Sequence, residues 1–269
     1  MVEANLKSRL ITGFIGIPLL VLLIGWGYPW MFHGIFLLII ISALREYFAI
    51  VFPGHLRDQL IGIASGFAVS LVVFLSELAR AELFLPPLFV LFFSIYLIMD
   101  GPLQERLMRL AWTLLGALYL GYLLPQWISL FRRPDGRAWV FFVLVVIMVG
   151  DTCAYFVGRR FGKRKLAPEI SPGKTMEGAM AYIAGSVLAG CLAGRLLAVG
   201  LTWSELVILS GLLGVLGQIG DLFESWIKRV FAVKDSGTWF PGHGGLLDRL
   251  DSLIFPAVFT TAYLKVFHS

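Results

Sequence analysis

Charged residues are scarce in this chain of 269 residues: they make up 14% of the sequence, against 58% for hydrophobic residues. An ordinary soluble domain carries about a quarter charged and about half apolar residues. The mean hydropathy of +0.85 reflects the same imbalance. The composition therefore excludes an ordinary soluble domain and predicts a protein embedded in a membrane.

Cysteine is nearly absent as well. The two cysteines, Cys153 and Cys191, both lie in apolar stretches, and neither belongs to a CxxC or Cys/His cluster. This scarcity argues against a structural zinc site and against a disulfide framework. We expect both thiols to be small, buried, apolar side chains.

Short alternating segments, low-complexity tracts and short-period repeats are also missing, whereas long apolar runs are frequent. Alternation at every second residue is typical of a membrane β-barrel, so the pattern predicts an all-α, polytopic membrane protein. About 20 residues of helix cross a hydrocarbon core of roughly 30 Å. We predict about nine spans, over residues 10–27, 30–50, 60–79, 83–99, 107–127, 138–157, 177–198, 203–224 and 250–267. The first run is longer than the apolar part of a secretory signal, so we expect it to be retained.

The basic residues are unevenly distributed along the chain. If the N-terminus is cytoplasmic, most of the 22 lysines and arginines fall in cytoplasmic loops. Positive residues favour the cytoplasmic side, which predicts a cytoplasmic N-terminus and explains the net charge of +5 without a nucleic-acid partner. We expect one membrane-embedded domain over residues 1–269, with mainly scaffold helices in 1–105 and catalytic helices and cytoplasmic loops in 138–269.

The densest charge in the chain lies between Asp221 and Asp251, beside bilayer-length apolar segments. Charged side chains are costly there unless they serve a function. On helices, Asp221 would share a face with Ser225 and Lys228, and Asp248 would share a face with Asp251. Three carboxylates at the ends of adjoining helices can bind divalent cations, which prefer oxygen ligands. We therefore predict a metal site formed by these three aspartates; the alternative is that each pairs with a nearby basic side chain.

Four basic residues are interleaved with these carboxylates and with the pair Gly244–Gly245. A polyphosphate needs such a mixture, because cations offset its charge and glycine permits close approach of the backbone. His243 could donate to a phosphate oxygen or act as an acid, although a solvated loop histidine would have the same spacing. Simple membrane anchors are the alternative for the basic residues, which are Lys228, Arg229, Lys234 and Arg249.

A second polar segment runs from Gly150 to Gly178 and contains a basic loop punctuated by glycine. Thr175 is the predicted N-cap of the following span. Gly173-Lys174-Thr175 resembles the end of a P-loop, but a P-loop needs glycine where this chain has Pro168, and the preceding element is a membrane helix. The P-loop is therefore excluded, and Lys174 could contact phosphate or serve as a basic anchor at the interface.

Together these residues resemble the signature of the phosphatidate cytidylyltransferases, also called CDP-diacylglycerol synthases. The signature is carried by Ser225-x-x-Lys228-Arg229, Lys234-Asp235, His243-Gly244-Gly245 and Asp248-Arg249-x-Asp251. The stretch that contains Asp151, Tyr155, Gly158, Ser171, Pro172, Lys174, Thr175, Glu177 and Gly178 resembles the family's other typical segment. The first 100 residues match the family only as a hydrophobic profile.

The resemblance implies CTP and phosphatidate as substrates, CDP-diacylglycerol and pyrophosphate as products, and Mg²⁺ as cofactor. It also implies a multi-pass enzyme of the cell (inner) membrane, with its active site facing the cytoplasm, and a homodimer. Catalytic roles are expected for Lys228, Arg229, His243, Asp248 and Arg249, and metal binding for Asp221, Asp248 and Asp251. Substrate-binding roles are expected for Asp151, Ser171, Lys174, Thr175, Ser225, Lys234, Asp235, Gly244 and Gly245.

Two other functions fit parts of the pattern. A CTP-dependent lipid kinase of the dolichol kinase type would transfer the γ-phosphate and release CDP. An ion-coupled transporter would also carry carboxylates within the membrane. Transport sites usually lie near the middle of the membrane, however, whereas these charges gather at the ends of the predicted spans.

Overall fold

The structure is a computed structural model that describes residues 18–79, 81–237 and 244–268. The described residues are predominantly helical, which confirms the predicted all-α class. A helical segment at residues 18–26 comes first. It is followed by α1 (Pro29–Val51), α2 (Leu56–Ala79), α3 (Leu85–Ile98), α4 (Leu103–Gly116), α5 (Gln126–Phe131), α6 (Gly136–Phe161), β1 (Lys165–Ala167), β2 (Ser171–Thr175), α7 (Met176–Leu196), α8 (Trp203–Val230) and α9 (Leu247–Phe267). A 3₁₀ turn at Ala81–Phe84 precedes α3, and a π-helical stretch at Ala117–Leu123 lies between α4 and α5.

Seven helices in the described part of the chain are long and apolar enough to cross a membrane. They are α1, α2, the continuous stretch Leu103–Phe131, α6, α7, α8 and α9. The predicted span 83–99 corresponds to α3, whose 14 residues fall short of the roughly 20 that a membrane requires. The predicted span 10–27 extends beyond the described residues. The multi-pass architecture is thus confirmed, whereas the number nine is not.

Contacts divide the chain into two compact units. Among the described residues, the first unit comprises 18–27, 130–235 and 248–268, and therefore contains α6, the β-hairpin, α7, α8 and nearly all of α9. The second unit comprises residues 28–129 together with the ends of the segment 236–247. The expectation of one domain over the whole chain stays a prediction.

Glycine allows α6 and α7 to pack closely within the first unit. A Cβ atom at Gly150 would lie 2.6 Å from the Tyr182 ring, and one at Gly185 would lie 2.6 Å from Cys153 Sγ. Small residues at such contacts let the backbones of membrane helices approach each other.

Cys153 and Cys191 are half-buried, so the prediction that both are buried is wrong. An apolar residue of a membrane helix can face lipid as well as protein.

Replacing Gly150 with alanine is expected to destabilise the protein by about 1–3 kcal/mol, because the new methyl group overpacks the contact between α6 and α7. Gly211→Ala in α8 is the matched control, since its Cβ would meet Val187 at 3.5 Å, an ordinary contact. Thermal denaturation in detergent should give a lower midpoint for Gly150→Ala alone. Equal midpoints for the two variants would contradict the close packing.

An antiparallel β-hairpin, absent from the predicted architecture, connects α6 to α7. Lys165 of β1 lies opposite Thr175 of β2, and Ala167 lies opposite Ser171, with an irregular register between the two pairs. The hairpin gives Ser171, Lys174 and Thr175 a regular β-strand backbone where a basic loop was expected. Three predicted site residues therefore occupy one strand.

In the second unit, α1 packs closely against α2. A Cβ at Gly62 would lie 2.4 Å from the Phe48 ring, and one at Gly66 would lie 2.4 Å from a methyl group of Leu44. Two carboxylates are buried in this unit, those of Glu46 and Asp58.

Candidate functional site

Lys228 lies between two carboxylates. Its Nζ is 2.5 Å from Glu224 Oε2, one turn earlier on α8, and 2.5 Å from Asp248 Oδ1, in the first turn of α9. The side chain of Glu224 is 1% exposed and that of Lys228 is 12% exposed. Ion pairs this deeply buried are costly to break, because the remaining charge would have no partner. The cluster therefore joins the C-terminal part of α8 to the start of α9.

A second ion pair involves Asp221, about two turns before Lys228 on α8. Lys174 Nζ lies 2.7 Å from Asp221 Oδ2, and Ser225 Oγ donates to Asp221 Oδ1 at 3.3 Å. The predicted common face of Asp221 and Ser225 is thus confirmed. Since Lys174 belongs to β2, this pair brings together the two polar segments that the sequence separates.

A cavity of about 540 Å³ opens beside the Lys174–Asp221 pair. Clefts of about 300–1,000 Å³ are typical of small-molecule sites. Five of the predicted site residues line it: Asp151, Ser171, Lys174, Thr175 and Asp221. With Arg159, which also lines it, the cavity combines two cations, two carboxylates and several hydroxyl groups, which can bind a phosphate-bearing ligand.

Asp151 occupies the α6 wall of this cavity. Its carboxylate is close enough to interact electrostatically with Asp221 and Lys174, and it lies near the hydroxyl groups of Tyr182 and Ser252. Asp151 and Asp221 thus place two negative charges around one lysine. Arg159 lines the same cavity, so its lining carries two basic groups beside the two carboxylates.

Thr175 fixes the start of α7. Its Oγ1 accepts a hydrogen bond from Gly178 N at 3.2 Å, which confirms the predicted N-cap. Glu177, in the first turn of α7, accepts hydrogen bonds from the backbone amides of Lys163 and Arg164, at 3.0 Å and 3.3 Å. These contacts attach both ends of the hairpin to the helix that follows it.

Asp251 is buried on α9 beside α8. A Cβ at Gly220 would lie 2.2 Å from Asp251 O, so glycine is required for this approach of the two helices. The carboxylate of Asp251 interacts electrostatically with those of Asp221 and Glu224.

The three predicted metal ligands do not form one group. Among the described residues, no set of three or more His, Cys, Asp and Glu side chains is arranged to hold a metal ion. Asp221 and Asp248 each pair with a lysine, as the alternative interpretation anticipated. Binding of a metal by Asp221, Asp248 and Asp251 stays a prediction.

The remaining charged residues of the signature lie away from the cavity lining. Arg229, at the end of α8, donates to Ile170 O at 3.1 Å and so contacts the hairpin. Lys234 and Asp235 are exposed in the turn after α8, and Arg249 is exposed on α9.

The glycines before α9 behave as predicted. Gly244 has a φ angle of +79°, a left-handed conformation that favours glycine. A Cβ at Gly245 would lie 2.1 Å from Ser236 Oγ. The chain therefore turns sharply ahead of α9. His243 lies outside the described residues.

Sequence reasoning gave no role to several polar residues that the structure places at the site. Arg159, Gln218 and Tyr182 line the cavity, and Glu224, whose part the sequence leaves open, pairs with Lys228. Helical spacing carries a signal for two of them, since Gln218 precedes Asp221 by three residues and Glu224 precedes Lys228 by four. Tyr182 lies two turns into α7, and no charge or glycine marks it in the sequence.

The fold and the site define a multi-pass helical membrane protein with a charged cavity beside a buried cluster of ion pairs. The chain belongs to the Cytidylyltransferase family, whose model matches residues 7–267.

Several curated relatives bear the name phosphatidate cytidylyltransferase. The protein of that name from Bacillus subtilis (strain 168) is 44% identical over 158 residues, which is 57% of each chain. The one from Brucella suis biovar 1 (strain 1330) is 41% identical over 158 residues, or 58% of each chain. The one from Staphylococcus epidermidis (strain ATCC 12228 / FDA PCI 1200) is 42% identical over 123 residues, or 46% of this chain and 47% of the relative. The chain thus matches little more than half the length of the first two relatives.

Proposed function

We propose that the protein transfers the cytidylyl group of CTP to phosphatidate, which yields CDP-diacylglycerol and pyrophosphate. The observation that carries this proposal is the charged cavity, in which Lys174 pairs with Asp221 and interacts electrostatically with Asp151. A cavity of this kind suits a phosphate-bearing ligand, and apolar helices around it suit a lipid. Family membership and the names of the relatives support the same activity.

The reaction forms one phosphorus–oxygen bond and breaks another. An oxygen of the lipid phosphate attacks the α-phosphorus of CTP, the bond from this phosphorus to the α,β-bridging oxygen breaks, and pyrophosphate leaves with the electron pair. The attacking phosphate is already largely ionised at neutral pH, so little general-base catalysis is needed. Catalysis then rests on positioning and on charge neutralisation.

Each charged group has a role in this scheme. Lys228, Arg229 and Arg249 hold phosphate groups, and Lys174 contacts the substrate in the cavity. Asp248 orients Lys228, with which it is paired. His243 acts as an acid in this proposal. The remaining substrate contacts are those predicted from the sequence, namely Asp151, Ser171, Thr175, Ser225, Lys234, Asp235, Gly244 and Gly245.

Mg²⁺ is the cofactor that the proposal includes, held by Asp221, Asp248 and Asp251. Carboxylate oxygens are ligands that Mg²⁺ prefers. Asp221 and Asp248 each pair with a lysine ammonium group within 2.7 Å, so Mg²⁺ would have to share or replace these lysine contacts. When bound, Mg²⁺ would neutralise charge on the departing pyrophosphate.

The proposal also covers location and assembly. The distribution of basic residues favours a cytoplasmic N-terminus and a site that faces the cytoplasm, where CTP is available. We place the protein in the cell (inner) membrane, as a homodimer.

Release of pyrophosphate by the purified protein tests the proposal. With CTP, Mg²⁺ and phosphatidate, pyrophosphate should appear in proportion to the lipid consumed, and diacylglycerol in place of phosphatidate should give none. Release of CDP instead would indicate the lipid kinase. Absence of CTP turnover together with metal-dependent flux into liposomes would indicate the transporter.

A further inference from the structure

Glu46 is a buried carboxylate of α1 that the proposed chemistry does not use. Its side chain accepts three hydrogen bonds from the described residues of the segment 236–247, all within the second unit. Ser236 Oγ donates to Glu46 Oε2 at 3.0 Å, Leu246 N donates to Oε1 at 2.8 Å, and Leu247 N donates to Oε2 at 2.8 Å. Both ends of the segment are therefore attached to one side chain.

The contact with Leu246 and Leu247 is a helix cap supplied from a distant part of the sequence. The first amides of an α-helix have no partner within the helix, and negative charge is favourable beside them. Leu247 is the first residue of α9, and its amide and that of Leu246 both donate to Glu46. Glu46 therefore caps the N-terminus of α9, as Thr175 caps the N-terminus of α7.

Two glycines make room for this carboxylate. A Cβ at Gly237 would lie 2.6 Å from Glu46 Oε1, and one at Gly245 would lie 2.5 Å from Glu46 Oε2. Side chains at either position would push the carboxylate away from its donors. A glycine near each end of the segment therefore allows the backbone to approach the Glu46 carboxylate closely.

We propose that Glu46 is a positioning residue for the cytidylyl transfer: it binds residues 236 and 246–247, the described ends of the segment, and sets the start of α9. Asp248 immediately follows Leu247, and Gly244 and Gly245 directly precede Leu246. Fixing the start of α9 therefore restricts Asp248, Gly244 and Gly245, to which the proposed reaction assigns roles. The catalytic role rests on the proposed function. The hydrogen bonds from Ser236, Leu246 and Leu247 to Glu46, called the Glu46 clamp below, can be tested by hydrogen–deuterium exchange without substrate.

Glu46→Gln is the principal test. Glutamine has the same shape, but its amide nitrogen cannot accept a hydrogen bond, so at least one backbone amide of the segment loses its acceptor. Displacement of reacting groups by about 1 Å can reduce turnover by about 100-fold, and we expect kcat to fall towards that level with KM for CTP changed less. Hydrogen–deuterium exchange should become about 10-fold faster at residues 244–248, because loss of a charge-assisted hydrogen bond opens the local structure.

Asp58→Asn is the matched control. Asp58 is another buried carboxylate of the second unit, and its ion-pair partner is Arg109 of α4, at 3.0 Å. Loss of the Asp58 charge should lower the melting temperature but leave kcat and hydrogen–deuterium exchange at residues 244–248 unchanged. Glu46→Asp, which retains both acceptor oxygens, should recover part of the lost turnover.

Gly237→Ala disturbs the same clamp from the other side and should reproduce the effects of Glu46→Gln if that variant fails to fold. Wild-type kcat in either variant, or a fall in kcat with unchanged exchange at residues 244–248, would overturn the proposal. If the wild-type protein shows no cytidylyl transfer, the proposed function fails, and the exchange measurement still decides whether Glu46 is a clamp.

Discussion

Lys228→Met should reduce activity by at least about 100-fold, because removal of a preorganised cationic or hydrogen-bonding group from a site of charge development typically costs that much. It should also destabilise the fold. Glu224 and Asp248 both lie 2.5 Å from the ammonium group and would face each other without it. Breaking a buried pair in this way costs about 3–5 kcal/mol, so the melting temperature in detergent should fall together with the activity.

A double variant separates the two effects of this substitution. Glu224→Gln combined with Lys228→Met removes the uncompensated charge and should recover much of the melting temperature without recovering activity. Lys228→Arg keeps the charge and should stay close to the wild-type protein in stability. A wild-type melting temperature of the Lys228→Met protein would contradict the stabilising role of the cluster, and more than a tenth of wild-type activity would contradict its role in catalysis.

Asp248→Asn should remove most of the activity and leave the protein folded. The amide has the size of the carboxylate but cannot bind a cation as strongly, and it orients Lys228 less well. Lys228 keeps Glu224 as a partner, so the loss of stability should be smaller than for Lys228→Met. The activity should fall by about 100-fold or more, as expected for loss of a charged group that positions phosphate, and a CTP-dependent assay at saturating Mg²⁺ measures it.

Asp100→Asn is the control for this substitution, since Asp100 is exposed outside the site. It should retain wild-type activity and melting temperature. Near-normal turnover by Asp248→Asn would contradict both the metal assignment and the role of Asp248 beside Lys228.

Much of the architecture could be predicted because membranes impose simple rules on a sequence. Length and apolarity identify spans, so the helices from α6 to α9 lie close to their predicted ranges. The cap at Thr175 and the turn at Gly244 were predictable as well, because both follow from local chemistry. Helical spacing also placed Ser225 correctly beside Asp221.

Features that depend on tertiary contacts could not be predicted in this way. The hairpin that carries Lys174 is too short and too polar to resemble a strand in the sequence. The partners of the aspartates depend on which helix ends meet, so spacing alone did not indicate that Asp221 contacts Lys174 and that Asp248 contacts Lys228. Glu46 lies 200 residues before Leu246, and no local pattern connects the two.

The fate of the phosphorus atoms of CTP decides whether the protein is a cytidylyltransferase. Purified protein is incubated with phosphatidate and with CTP labelled at either the α- or the γ-phosphorus, and the lipid is then extracted. Label from the α-position should enter the lipid as CDP-diacylglycerol, and label from the γ-position should leave as pyrophosphate. Entry of γ-label into lipid while α-label remains in CDP would contradict the proposed function and identify a kinase.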